Sequence, residues 1–163
     1  MKNYPRIYSL STLGLIHHYE NDYLFHNMRT DFVGDSGSGK SIIADLLQLI
    51  FVGSEIFESA TRTMDEKREL DGLVLRTPHK GIDIGYTYLN IEIQSRHYIV
   101  IGCYLESNSK RTKPFIIQGS SDPKANLLPI GQPLQTKDFK REGNICPLDD
   151  LLSQMEEKGL FGN

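Results

Sequence analysis

Two periodicities divide the chain. Between Lys40 and Val52 the apolar residues Ile42, Ile43, Leu46, Leu47, Leu49, Ile50 and Phe51 crowd together without a turn residue, and Gly53 follows. That density and length predict a buried helix with a glycine stop. From Tyr86 onward the period becomes two. Leu89, Ile91 and Ile93 share one face of Tyr86–Ile93, and His97–Leu105 (HYIVIGCYL) is β-branched and aromatic. The short link Gln94-Ser95-Arg96 predicts an antiparallel hairpin, and Pro114–Gln118 adds a third strand. Tyr86, Tyr88, Tyr98 and Tyr104, at strand spacing, are expected to be packing residues. Upstream, Arg6–Leu13 alternates loosely and predicts a first strand, His17–His26 reads as a polar, aromatic loop, and Arg29–Val33 is expected to be a strand because the motif after it requires one. Ser54–Leu70 is charged and mixed, predicting a mobile loop or a solvated helix. Gly119–Asn144 carries Pro123, Pro129 and Pro133 and predicts an extended loop. Pro147 opens an amphipathic helix, LDDLLSQMEEK, closed by Gly159.

The expected organisation is one lobe over residues 1–163: a core at 6–53, antiparallel strands at about 84–118, a loop at 119–144 and a helix at 147–158. A chain of 163 residues that is 39% hydrophobic suits one folded unit. Composition excludes a coiled coil and a disulfide scaffold. The 18 Lys and Arg face 21 Asp and Glu, a net charge of −3, so general attraction to nucleic acid is not implied. Cys103 and Cys146 are isolated, and a disulfide between them is the lesser alternative to two free thiols. No leader pattern opens the sequence. The longest apolar stretch, Leu46–Val52, is interrupted by Gln48 and is too short to cross a bilayer. The expectation is a cytoplasmic protein with no membrane contact.

One motif changes the picture. Gly34-Asp35-Ser36-Gly37-Ser38-Gly39-Lys40-Ser41 fits G-x-x-x-x-G-K-[ST], the phosphate-binding loop. A chance match in a chain of this length is about a one-in-two-hundred event at ordinary residue frequencies. Its glycines let the backbone turn its N–H groups inward, and the helix beginning near Lys40 aims its positive end at the same place. Lys40 is the expected catalytic cation, reaching the β- and γ-phosphates of ATP. Ser41 is the expected Mg²⁺ ligand. An ordinary Gly/Ser turn requires neither the Lys-Ser pair nor three glycines.

The residues that follow, KSIIADLLQLIFVG over 40–53, resemble the GKS-x-x-x-D-A-I helix of SMC and SbcC-like ATPases, which are ABC-type heads acting on DNA. Asp45 stands where that family has its aspartate, and Gly53 where its helix ends. The resemblance covers mainly Arg6–Gly53, and the later hairpin agrees in pattern. It implies an α/β P-loop NTPase fold: an ABC-ATPase-like N-terminal lobe with an antiparallel hairpin region after the P-loop helix. No Leu-Ser-Gly-Gly signature occurs, and no apolar strand ends in Asp-Glu. Ile145-Cys-Pro-Leu-Asp-Asp150 imitates such a strand, but Pro147 cannot donate to a central ladder. In this family the missing motifs lie in a C-terminal lobe, so the resemblance implies half of a longer split head. The implied partners are that lobe, a second head (a homodimer) and DNA through the full assembly. Hydrolysis is expected only once the head is complete. The resemblance fits genome maintenance, DNA repair and defence against foreign DNA equally.

Other features carry less. Gln118, after PFII, occupies the place of a Q-loop glutamine, which would contact Mg²⁺; closing a strand explains it as well. His17, His18 and Tyr19 lie where ABC heads approach adenine and ribose. Lys110-Arg111-Thr112-Lys113 is a basic turn, either solvated or on a DNA backbone. No His or Cys spacing suggests zinc. Two other readings stand beside the split head. One is a small kinase resembling HPr kinase in its P-loop, with Asp65, Asp71 or Asp83 as the catalytic carboxylate; the other is a nucleotide switch without hydrolysis.

Overall fold

The computed structural model describes residues 2–26, 29–35, 39–55, 57, 70–77, 81–122, 124 and 126–162. The alternating residues of β1 (Arg6–Leu15) turn at His17, whose φ is 61°, into β2 (His18–Leu24). The dense apolar segment forms α1 (Lys40–Val52). It ends at Gly53, with φ 80° and its N–H bonded to the Leu49 carbonyl at 2.9 Å. The period-two region supplies β3 (Ile84–Gln94), β4 (His97–Glu106) and β5 (Lys113–Gln118). After a long connection come β6 (Lys140–Arg141), β7 (Asn144–Ile145), α2 (Leu148–Glu157) and β8 (Phe161–Gly162).

Six strands form one sheet in the order β2-β1-β3-β4-β5-β8, each pair antiparallel, while β6 and β7 make a separate hairpin. The register aligns Leu10 with Leu89, Leu89 with Ile101 and Ile101 with Ile116. Strand alternation sends neighbouring residues to opposite faces. On one face Leu10 and Leu89 receive Ile43 of α1, and Leu15, Cys103 and Leu105 receive Ile42, Leu46 and Leu49. On the other, Tyr86, Tyr88, Val100, Phe115 and Ile117 pack against Phe139 and against Leu151 and Met155 of α2. The rings of Tyr88 and Phe139 stack at 4.3 Å. The fold is therefore a mixed α/β one, an antiparallel sheet with one helix on each face. Among the described residues no helix is long and apolar enough to cross a membrane.

Three expectations need correction. His17–His26 is no loop, because most of it is β2, the edge strand beside β1. Among the described residues Arg29–Val33 pairs with no strand and so is not one, and Phe32 ties it to the sheet by ring contacts. Residues 119–144 are not wholly irregular: Thr136–Phe139 makes a 3-10 turn capped reciprocally by Gln135 and Asp138, and the β6–β7 hairpin follows. The four tyrosines are buried. Cys103 and Cys146 are both free. Residues 58–69, which include Asp65, lie outside the described residues.

Candidate phosphate-binding site

The site begins at Gly39, the residue that caps α1. Its φ of 91° is left-handed, which glycine alone adopts without strain. A side chain there would also collide with its surroundings, since a Cβ would lie 2.7 Å from His18 Nε2 and 2.8 Å from His17 Cβ. The turn between β1 and β2 thus sits directly on the last glycine of the motif. His18 is buried, with Nε2 2.8 Å from the Gly39 carbonyl and Nδ1 2.6 Å from the Tyr23 hydroxyl.

The first turn of α1 carries no side-chain cap and no acidic residue. A helix start leaves its first N–H groups without intrahelical partners and concentrates positive partial charge there. α2 places Asp149 and Asp150 in its own first turn, so its positive end is matched by carboxylates. The α1 end lacks such compensation, and Lys40 adds a full charge to it. The Lys40 ammonium is exposed and donates to the carbonyls of Gly34 and Asp35, the latter at 3.0 Å. Gly34, Asp35, Gly39, Lys40 and Ser41 are thereby brought together, whereas Ser36, Gly37 and Ser38 lie outside the described residues. The arrangement suits an anion: a cation and a helix start converge, and the first turn of the helix holds no acidic residue.

The approach to the motif is anchored by aromatic rings. Phe32 meets Tyr23 at 5.5 Å and Phe25 at 5.9 Å, both edge to face. Val33, next to it, is 93% exposed. Beside Lys40 an open cleft of about 280 Å³ is lined by Phe25, Thr30, Phe32, Ile43, Ala44 and Leu47. Asp45 is buried on α1 and is not without a partner.

Gln118 is not brought to this site. Its neighbour Ile117 aligns through Val100 and Asn90 with Ser9, six residues along β1 from Leu15, which pairs with His18. With four strand spacings added, Gln118 lies roughly 25 Å from the Gly39 end of the sheet. Its side chain is buried, and Oε1 accepts the Leu128 N–H at 3.0 Å. The cause is topological: β5 runs away from the Gly39 end of α1. His18 is likewise unavailable to a base, because both ring nitrogens are engaged, while Tyr19 is half exposed. In the basic turn, Lys113 lies 3.7 Å from Glu106. Asp83, one of the carboxylates considered for a kinase, accepts the Thr77 N–H at 2.8 Å. Among the described residues no group of His, Cys, Asp or Glu could hold a metal ion by itself. Sequence reasoning placed His18 near the nucleotide base; its contact with Gly39 depends on the hairpin turn and carries no local sequence signal.

Comparison with known proteins finds no matching family, no matching curated protein and no matching solved structure.

Proposed function

We propose that the chain binds ATP through Gly34–Ser41, as the N-terminal lobe of an SMC/SbcC-like ATPase head. The observation that carries this reading is the start of α1, where Lys40 and an uncompensated helix end converge behind a left-handed glycine. On binding, the Lys40 ammonium would exchange the carbonyls of Gly34 and Asp35 for β- and γ-phosphate oxygens. The N–H groups of the first turn would face the same oxygens. The Ser41 hydroxyl would be this lobe's ligand for Mg²⁺, which when bound draws negative charge from the phosphates.

The antiparallel sheet favours this reading over a small kinase, whose P-loop is ordinarily followed by parallel βα units. That segment 29–35 pairs with no described strand agrees with a lobe that meets further strands in a complete head. Hydrolysis needs groups that this reading assigns to a C-terminal lobe and a second head. DNA contact belongs to that assembly.

Calorimetry with Mg-ATP, alongside a turnover assay on the same chain, tests the proposal. Binding without turnover is expected, and Lys40→Ala should weaken it by roughly 10- to 100-fold with an unchanged melting temperature, the range for a charge-assisted hydrogen bond. Binding indifferent to Lys40 rejects the phosphate-loop assignment. Lys40-dependent turnover by the chain alone rejects the split head in favour of a self-sufficient enzyme.

A further inference from the structure

The contacts of His18 determine the tautomer of its neutral ring. The Gly39 carbonyl can only accept, so Nε2, 2.8 Å away, must carry a hydrogen. In a neutral ring Nδ1 is then the acceptor, and the Tyr23 hydroxyl at 2.6 Å donates to it. Burial raises the pKa of Tyr23, which keeps its proton in place for that role. The Gly39 carbonyl also accepts the Ile42 N–H at 3.2 Å, so its two lone pairs serve the helix and the histidine separately. Tyr23 is fixed in turn by its edge-to-face contact with Phe32, in the segment that leads into the motif.

We propose that His18 is a positioning residue for the phosphate loop. Its Nε2–H, oriented by Tyr23, holds Gly39 in the left-handed conformation that directs the Lys40 and Ser41 N–H groups toward phosphate. This rests on the phosphate-binding reading above and adds a residue outside the motif. His18 touches neither base nor sugar, so its influence is on polyphosphate itself, whatever nucleoside is attached.

The test compares Mg-ATP with inorganic tripolyphosphate as ligands of the wild-type chain and of His18→Leu, His18→Gln and Tyr23→Phe. Gln presents an amide N–H as many bonds from Cα as Nε2 and can make the same contact. His18→Leu should weaken both ligands by the same factor, about tenfold, the worth of one buried hydrogen bond. His18→Gln should recover to within about threefold of wild type, and Tyr23→Phe should fall between, since the ring is then free to change tautomer. Nitrogen-15 spectra of the ligand-free wild-type chain should show Nε2 protonated and Nδ1 not. A ring protonated at Nδ1 alone overturns the proposal, as does unchanged tripolyphosphate affinity in His18→Leu. A loss confined to ATP also overturns it, because it would put His18 at the base. If His18→Leu does not fold, the tautomer and Tyr23→Phe decide. A wild-type chain that binds neither ligand overturns the phosphate-binding reading and this proposal together, whereas Lys40-dependent binding with an indifferent His18 overturns only the latter.

Discussion

Asn90 and Leu134 pair as though a side chain were a strand. The Asn90 amide nitrogen donates to the Leu134 carbonyl at 2.8 Å, and the Leu134 N–H returns to Asn90 Oδ1 at 2.8 Å. The same nitrogen donates to Ser9 Oγ at 2.8 Å. One fully buried side chain on β3 therefore fixes both its neighbour strand and the connection that crosses the α2 face of the sheet.

Asn90→Ala should destabilise the fold by about 2–4 kcal/mol, because it removes the partner of the buried Leu134 N–H and one of two donors to the Leu134 carbonyl, the other being the Tyr88 hydroxyl at 3.2 Å. Asn90→Asp should be at least as damaging, since a carboxylate cannot donate to Ser9 or Leu134. Urea denaturation followed by circular dichroism measures both. A midpoint within experimental error of wild type for either variant would show that the connection is held elsewhere.

Acid should act on Glu92. Burial pushes its carboxyl pKa up, but the hydrogen bond and charge of Arg6 and the hydrogen bond from Tyr98 outweigh burial and leave it below the ordinary 4.5. Arg6 Nε lies 3.0 Å from Glu92 Oε1, and Tyr98, itself pushed up to about 12 by burial and by Glu92, keeps its proton. A depressed carboxyl stabilises the fold above its unfolded pKa and loses that contribution as pH falls through the folded value. Wild type should therefore lose stability between pH ~6 and pH ~3 more steeply than Glu92→Gln, whose amide does not titrate. Parallel slopes for the two proteins in urea melts would remove Glu92 from the acid response.

The thiols should be silent. Cys103 is 1% exposed beneath α1, and burial pushes its pKa up to about 11. Burial raises Cys146 as well. A buried, protonated thiol is a poor nucleophile. The folded chain should leave both unreacted with a thiol-exchange reagent at neutral pH, and denaturation should release two equivalents. Rapid native reaction at either position would contradict its burial.

What the sequence disclosed follows from how local each signal is. The Tyr86–Leu105 hairpin is legible because both strands have partners next to them in sequence and an alternation that burial enforces. α1 is legible because Ile42, Leu46 and Leu49 recur on one face before a glycine. β2 is hidden because its polar residues look solvated, yet Asp22 receives the Thr136 N–H at 3.2 Å and Glu20 meets Lys140 at 3.1 Å. Both partners lie more than a hundred residues downstream, beyond the reach of a periodicity window. RTDFV shows the converse error: a segment leading into a glycine-rich motif becomes a strand only when another strand pairs with it. Within the site, Lys40 and Gly39 can be read from the motif, whereas His18 depends on where the β1–β2 turn lands. For Gln118, a tripeptide-scale likeness carried no information about the direction of β5.

β2 also has a mechanical consequence. At its start His18 reaches to Gly39 on the α1 face. Four residues on, Asp22 accepts the Ser11 hydroxyl at 2.5 Å and reaches Thr136 on the α2 face. The strand is a stitch passed through the sheet, with one end tied to each layer. Among the described strands it has β1 alone as a neighbour, so a strand at the edge of the sheet is also one that joins the layers. Peeling it from the edge would release Gly39 at the start of α1 and free the Thr136 turn in the same event.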